Sequence, residues 1–273
     1  MAKDTALRRE SAFGVDTSNR RNMKSAFVEV DFPRLRLYSV LISILFGISV
    51  GQEIGQAASP DSIYQPNAKP AERLAAENLR RTAEAGSAKA QSELSKAYMA
   101  GTVFKQNIPE AIKWVSAAAN QGLPEAEVDL AILYLEGTGV QRDYSKGFSW
   151  MKKAAEQGDP KAEYNVGALY GLGRGVAKDV SEGVRWYLKA AEAGHQRAAY
   201  NMGLAYEQGV GVPHDLVKAY MWHYLAVNRL GYYPSKEILR ELSTKIGPAR
   251  VEEGRQQAAV WIKAHRNVKA VPM

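Results

Sequence analysis

The sequence predicts an all-α protein built from stacked helix hairpins, and three observations carry that prediction. Five residue ladders recur every 36 positions in one register: Gly86, Gly122, Gly158 and Gly194; Ala90, Ala126, Ala162 and Ala198; Tyr98, Tyr134, Tyr170 and Tyr206; Gly101, Gly137, Gly173 and Gly209; Trp114, Trp150, Trp186 and Trp222. Within a period, small and apolar residues fall at helical spacing. Ala126, Leu130 and Tyr134 stand at i, i+4 and i+8, and Gly147, Trp150 and Ala154 at i, i+3 and i+7. The third observation is a loop, Gly137-Thr138-Gly139, that returns as Gly173-Arg174-Gly175 and Gly209-Val210-Gly211. A phosphate-cradling loop would occur once, follow a strand and carry Lys-Ser/Thr. A loop that recurs between helices is a turn.

The elements follow in chain order. Residues 1–36 form a basic extension, expected to be disordered. Residues 37–57 contain the apolar run Leu37 to Gly51, preceded by Arg34 and Arg36. Its length, about 15 residues, suits the apolar stretch of an export signal better than the roughly 20 of a bilayer-crossing helix. Small residues at Gly55 and Ala57 allow cleavage after Ala57. An uncleaved membrane anchor is the alternative, a buried core helix the bland one, and Met23 is a more ordinary start for such a signal than Met1. Either of the first two readings exports everything beyond Ala57, to the periplasm or the medium. Residues 58–70 read as a mobile linker.

Residues 71–86 read as a lone capping helix, with Asn78 where the ladder would place tryptophan; a polar outer face is what a terminal unit needs. Four repeats then fill 87–230, divided as 87–122, 123–158, 159–194 and 195–230. In the second, one helix is expected near Pro124–Glu136 and another near Asp143–Gln157. Asn107, Asp143, Asp179 and Asp215 fall where an N-cap accepts the first amide protons. The glycines after the second helices suit a left-handed terminus. Ala131, Gly167 and Gly203 let paired helices approach, with tryptophan expected to fill the space beside them. In the first repeat Val103 replaces the second loop glycine, so that loop should bend differently. Residues 231–267 read as two C-terminal capping helices, 235–245 and 248–266, with Trp261 closing the core. The last few residues are expected to be mobile.

Composition narrows the function classes. The 273-residue chain has no cysteine, which removes disulfides, thiolate metal sites and thiol nucleophiles together. Its net charge of +7 lies in good part after Ser235, and the middle of the chain has no arginine-rich helix or basic run interleaved with aromatics, so nucleic-acid binding is not expected. His195, His214, His223 and His265 form no metal-ligand motif, and His223, at a position held elsewhere by Val115, Met151 and Tyr187, reads as structural. Ser149-Trp150-Met151-Lys152 spells the serine–lysine pair of penicillin-recognising enzymes without its companion motifs. No catalytic constellation, cofactor or metal is expected.

The third repeat, Ala162-Glu163-Tyr164-Asn165-Val166-Gly167, then Tyr170, Gly173, Gly175-Val176 and Asp179, closing with Trp186-Tyr187-Leu188-Lys189-Ala190-Ala191 and Gly194, resembles the Sel-one-like repeat (SLR), a subclass of tetratricopeptide-like (TPR) α-solenoids. The resemblance covers about 140 residues. It implies a right-handed superhelix whose first helices line a concave groove, and a non-catalytic adaptor that holds a protein or peptide there. On that geometry the inward positions are Lys89, Ser92 and Glu93; Glu125, Val128 and Asp129; Lys161, Tyr164, Asn165 and Ala168; Arg197, Tyr200, Asn201 and Leu204. Lys161, Asn165 and Asn201 resemble part of the carboxylate clamp of some TPR domains, although the same asparagines suit a structural bond between repeats. Two further readings are an exported regulator restraining a membrane sensor kinase or exopolysaccharide pathway and, last, a cell-wall-acting enzyme.

Overall fold

A computed structural model describes residues 63–271. The apolar run at Leu37 to Gly51 lies outside them. Among the described residues there are ten helices and no strand beyond isolated bridges. In chain order they are α1 Pro70–Glu84, α2 Ala88–Ala100, α3 Ile108–Asn120, α4 Pro124–Glu136, α5 Tyr144–Glu156, α6 Pro160–Leu172, α7 Val180–Glu192, α8 Gln196–Gln208, α9 Leu216–Asn228 and α10 Ser235–Ala264. Each helix packs on its neighbours in sequence, which makes the molecule a solenoid of hairpins α2–α3, α4–α5, α6–α7 and α8–α9. The helix α10 breaks at Gly247 (φ 77, ψ 167), ahead of Pro248, where the sequence predicts two helices.

Local chemistry sets the helix ends. The side chains of Asn107, Asp143, Asp179 and Asp215 accept from the amides of Glu110, Lys146, Glu182 and Lys218. These caps fix where each second helix begins. The second glycine of each loop seats on the preceding repeat. A Cβ at Gly175 (φ +75) would lie 2.0 Å from the Tyr144 carbonyl oxygen, and one at Gly139 2.2 Å from the Ile108 side chain. At Val103 the partner is different: residues 63–65 lie against this loop. Gln65 N donates to the Val103 carbonyl and Lys105 N to that of Ile63, both at 2.8 Å. Tyr64 is buried, stacks on Phe104 and donates to Glu77 at 2.9 Å. The end of the expected linker is therefore part of the N-terminal core, because it shields Phe104.

The tryptophans play a different part from the expected one. The residues opposite Ala131, Gly167 and Gly203 are those that follow the tryptophans: Met151 in the same cluster as Ala131, Tyr187 2.9 Å from a Cβ built on Gly167, and His223 2.5 Å from one built on Gly203. Each glycine or alanine thus leaves room for a large side chain from the second helix. Trp114 and Trp150 are half-buried. Trp186 is buried in the cluster with Val166 and Leu169, and Trp222 meets Trp261 edge-on at 6.0 Å, closing the C-terminal end as expected.

One ladder is incomplete. Gln121 Nε2 donates to Gln91 at 2.7 Å and Gln157 Nε2 to Glu127 at 2.8 Å, each across one repeat. One repeat further on, the donor position holds Ala193, and buried Glu163 has Oε2 without a partner. Burial raises its carboxyl to about 7; Lys189 pulls it down, while Asp159 and Glu192 push it up. Since the folded value exceeds the unfolded one of 4.5, this group's stabilisation is complete below pH 4.5 and is lost as pH rises to 7. The loss is at most about 3 kcal/mol at pH 8. Glu163→Gln should therefore raise the melting temperature at pH 8 more than at pH 5. Ala193→Gln, supplying the missing amide, should do the same by about 1 kcal/mol. Thermal melts showing equal shifts at both pH values would refute the assignment.

Candidate protein-binding groove

The first helices lie side by side, which is what makes a continuous inner face. Lys96 on α2 pairs with Glu125 and Asp129 on α4, the latter at 3.5 Å. This ion cluster sits at the N-terminal end of the face. Toward the other end, Lys161 on α6 and Arg197 on α8 are half-buried and flank His195 closely enough to disfavour its proton. Tyr200 is half-buried between the rings of Tyr232 (5.3 Å) and His223 (5.5 Å).

Of the residues expected on this face, Asp129, Lys161, Arg197 and Tyr200 keep solvent access, as do Lys89, Glu93, Glu125 and Val128. Tyr164, Asn165 and Asn201 do not: each is 2 % exposed. Tyr164 is covered by His195, whose ring stacks on it at 4.5 Å, and packs on Tyr187 behind. The Asn201 side chain shares a hydrogen bond with the Tyr187 hydroxyl one helix back. Asn165 and Asn201 thus sit inside the stack rather than forming a carboxylate clamp. Ser92, Ala168 and Leu204 are buried as well.

The sequence pattern missed His195. It is 1 % exposed, caps α8 by accepting from Ala198 N at 3.2 Å through Nδ1, and forms the roof over Tyr164. Its position in the ladder, shared with the cap residues Ser87 and Asp159, was the available signal. His223 is wholly buried and its Nδ1 meets Ser235 Oγ at 3.3 Å. Among the described residues no cluster could hold a metal ion, and no helix is long and apolar enough to cross a membrane. Ser149 is exposed on α5, and Lys152 pairs with Glu156 at 3.6 Å.

Hairpins stacked in register, with a repeating core and a non-repeating inner face, define an α-solenoid interaction module. The family model "Sel1 repeat" matches residues 88–123, 124–159, 160–195 and 196–233, and the chain belongs to the Sel1 repeat family. It is similar to a solved Sel1 repeat protein from Oxalobacter formigenes: 34 % identity, 72 % of this chain and 80 % of that one, TM-score 0.58. It is equally similar in sequence to c5321, described as a protective antigen of uropathogenic Escherichia coli with an SLR fold. There the identity is 34 % over 72 % of this chain, the TM-score is 0.55, and the match spans 45 % of the longer protein. Comparison with curated proteins gives no match. Sel1 repeat proteins are generally protein-interaction scaffolds.

Proposed function

We propose that this chain is a non-catalytic scaffold of the cell envelope that holds a protein or peptide against the inner face of its first helices. One observation carries the reading. The core positions repeat with the same residue type, whereas the accessible inner positions change from repeat to repeat. Position 125 is Glu, 161 is Lys and 197 is Arg; position 128 is Val and 200 is Tyr. The charges are also uneven along the face, with Glu125 and Asp129 paired to Lys96 toward its N-terminal side and Lys161 and Arg197 beyond them, so it can favour one direction of a bound segment. Tyr200 offers a rigid ring and a hydroxyl of the kind that anchors interfaces. Export is supported by the apolar run Leu37 to Gly51 behind Arg34 and Arg36.

A photo-crosslinking amino acid placed at Asp129 or Tyr200 in the intact protein, expressed in its own cells, should capture one discrete partner. The same residue at Arg185, exposed on the opposite helix α7, should capture none. Crosslinks from Arg185 alone, or from no position, would overturn the reading.

A further inference from the structure

The turn that joins one repeat to the next occurs four times with one backbone shape: Gly86, Gly122, Gly158 and Gly194 have φ of 98°, 80°, 84° and 92°. At the first three, a Cβ would meet nothing within 4 Å. At Gly194 it would lie 2.3 Å from the Lys269 carbonyl oxygen and 2.9 Å from Val268 Cγ1. The chain covers its own fourth turn.

The covering segment starts where α10 ends. His265 stacks on Trp261 at 4.2 Å and turns the backbone. The chain then runs along the solenoid edge. Arg229 NH2 donates to the carbonyls of Arg266 and Val268 at 3.2 and 2.9 Å. Val271 N donates to the Gly194 carbonyl at 3.0 Å, and Val271 pairs with His195 in a parallel bridge. Residues expected to be mobile are thus laid beside the groove, on the residue that roofs Tyr164.

The character of these contacts matters more than their presence. All of these hydrogen bonds reach the segment's main chain. The Lys269 and Ala270 side chains are exposed, and only Val268 and Val271 are half-buried. Main-chain bonds of this kind serve any extended segment, with alternate side-chain pockets giving what selectivity there is. The clamp belongs to this turn alone, since the positions matching Arg229 in the earlier repeats are Gln121, Gln157 and Ala193. Two of the three bonds come from one exposed arginine, and each is worth roughly 1 kcal/mol, so the cover is displaceable.

We propose that the edge formed by Gly194, His195 and Arg229 is a docking site for an extended protein segment. The segment adds in parallel with aliphatic residues at the Val268 and Val271 positions, and residues 266–271 occupy the site in competition with it. This rests on the reading of the repeats as a protein-binding surface, but locates a second subsite at the rim of the groove.

The test uses the chain's own segment as probe, a fluorescein-labelled peptide of sequence AHRNVKAV, matching residues 264–271. A chain ending after His265 keeps α10 whole and should bind the peptide in anisotropy titrations at up to millimolar concentration. The full chain should bind more weakly, by about twofold if the shortened chain binds at about 1 mM and about tenfold if it binds at about 0.1 mM, because its tethered segment acts at an effective concentration near millimolar. Arg229→Ala in the shortened chain should weaken binding by about thirtyfold, a loss of two hydrogen bonds. No binding to a shortened chain with intact helical circular dichroism would overturn the proposal. If that chain does not fold, full-length Val268→Asp, which alters the tethered segment and leaves the site intact, should bind the peptide better than the unaltered protein, and equal anisotropy would overturn it instead. Because the probe is not the groove's partner, either result leaves crosslinking from Asp129 and Tyr200 to be judged separately.

Discussion

Gly175→Ala is expected to destabilise the protein by about 3–5 kcal/mol, whereas Gly158→Ala should cost only about 1 kcal/mol. Both glycines have positive φ, +75° and +84°. Both substitutions therefore carry the left-handed penalty of an L-residue. They differ in what the new methyl meets. At Gly158 there is nothing within 4 Å; at Gly175 the Tyr144 carbonyl oxygen and carbon lie at 2.0 and 2.5 Å, with Phe148 Cβ at 2.9 Å. Backbone in the first turn of a capped helix cannot rotate aside as a side chain could. The overlap must be relieved by shifting the loop off α5, which opens the joint between the second and third repeats. Denaturant unfolding of the two variants measures the contrast. Similar losses would mean that the loop does not bear on α5.

The second large effect is acid sensitivity from two buried histidines. Burial holds His195 down to about 3, helped by Lys161 and Arg197, and burial alone holds His223 down to about 3. Both folded values lie below the ordinary 6.5, so both rings fold neutral. Their stabilisation is complete above pH 6.5. It is lost as pH falls from 6.5 toward 3, where the unfolded chain takes protons that the folded one refuses. Each histidine should then cost about 3 kcal/mol at pH 4.5, on the scale of 1.4 kcal/mol per pH unit. Glu127, Glu163 and Glu207, all raised by burial, work in the opposite direction and offset part of the loss. His223→Tyr isolates one contribution. It copies the neighbouring hairpin, where Tyr187 faces Gly167 as His223 faces Gly203, so the ring has a precedent for its space. The variant should lose about 3 kcal/mol less than the unaltered protein between pH 7.5 and 4.5. An unchanged loss would show that His223 does not resist protonation.

The 36-residue period made most of the fold legible. Three aspartates and one proline placed helix ends almost to the residue: Asp143, Asp179 and Asp215 cap second helices, and Pro124 opens a first helix. The inner face was only half legible, for a reason that Tyr164 and Tyr200 make plain. They occupy the same position in the same Tyr-Asn pair, yet one is buried and the other is not. The difference lies one repeat on, where His195 stacks over Tyr164 while the position matching His195 beyond Tyr200 is Gly231. A ladder reports each residue's place in its own hairpin and says little about what the next hairpin lays across it. Nor could periodicity foresee Tyr64 or the segment ending at Val271, because neither belongs to a repeat. Both segments are held largely by main-chain pairing, at Ile63 and Gln65 and at Val271, which leaves almost no mark in composition.

The matched inner pairs, Ala131 with Met151, Gly167 with Tyr187 and Gly203 with His223, each lie within a single hairpin. They bear on how such a chain can gain or shed length over generations. Recombination that breaks the gene at the turns near Gly122, Gly158 or Gly194 moves each small residue together with the large one fitted to it. A breakpoint at Gly137 or Gly173 would instead set Ala131 against Tyr187, or Gly167 against Met151, giving a collision in one product and a void in the other. The joints between hairpins are therefore the seams along which this molecule tolerates duplication and loss.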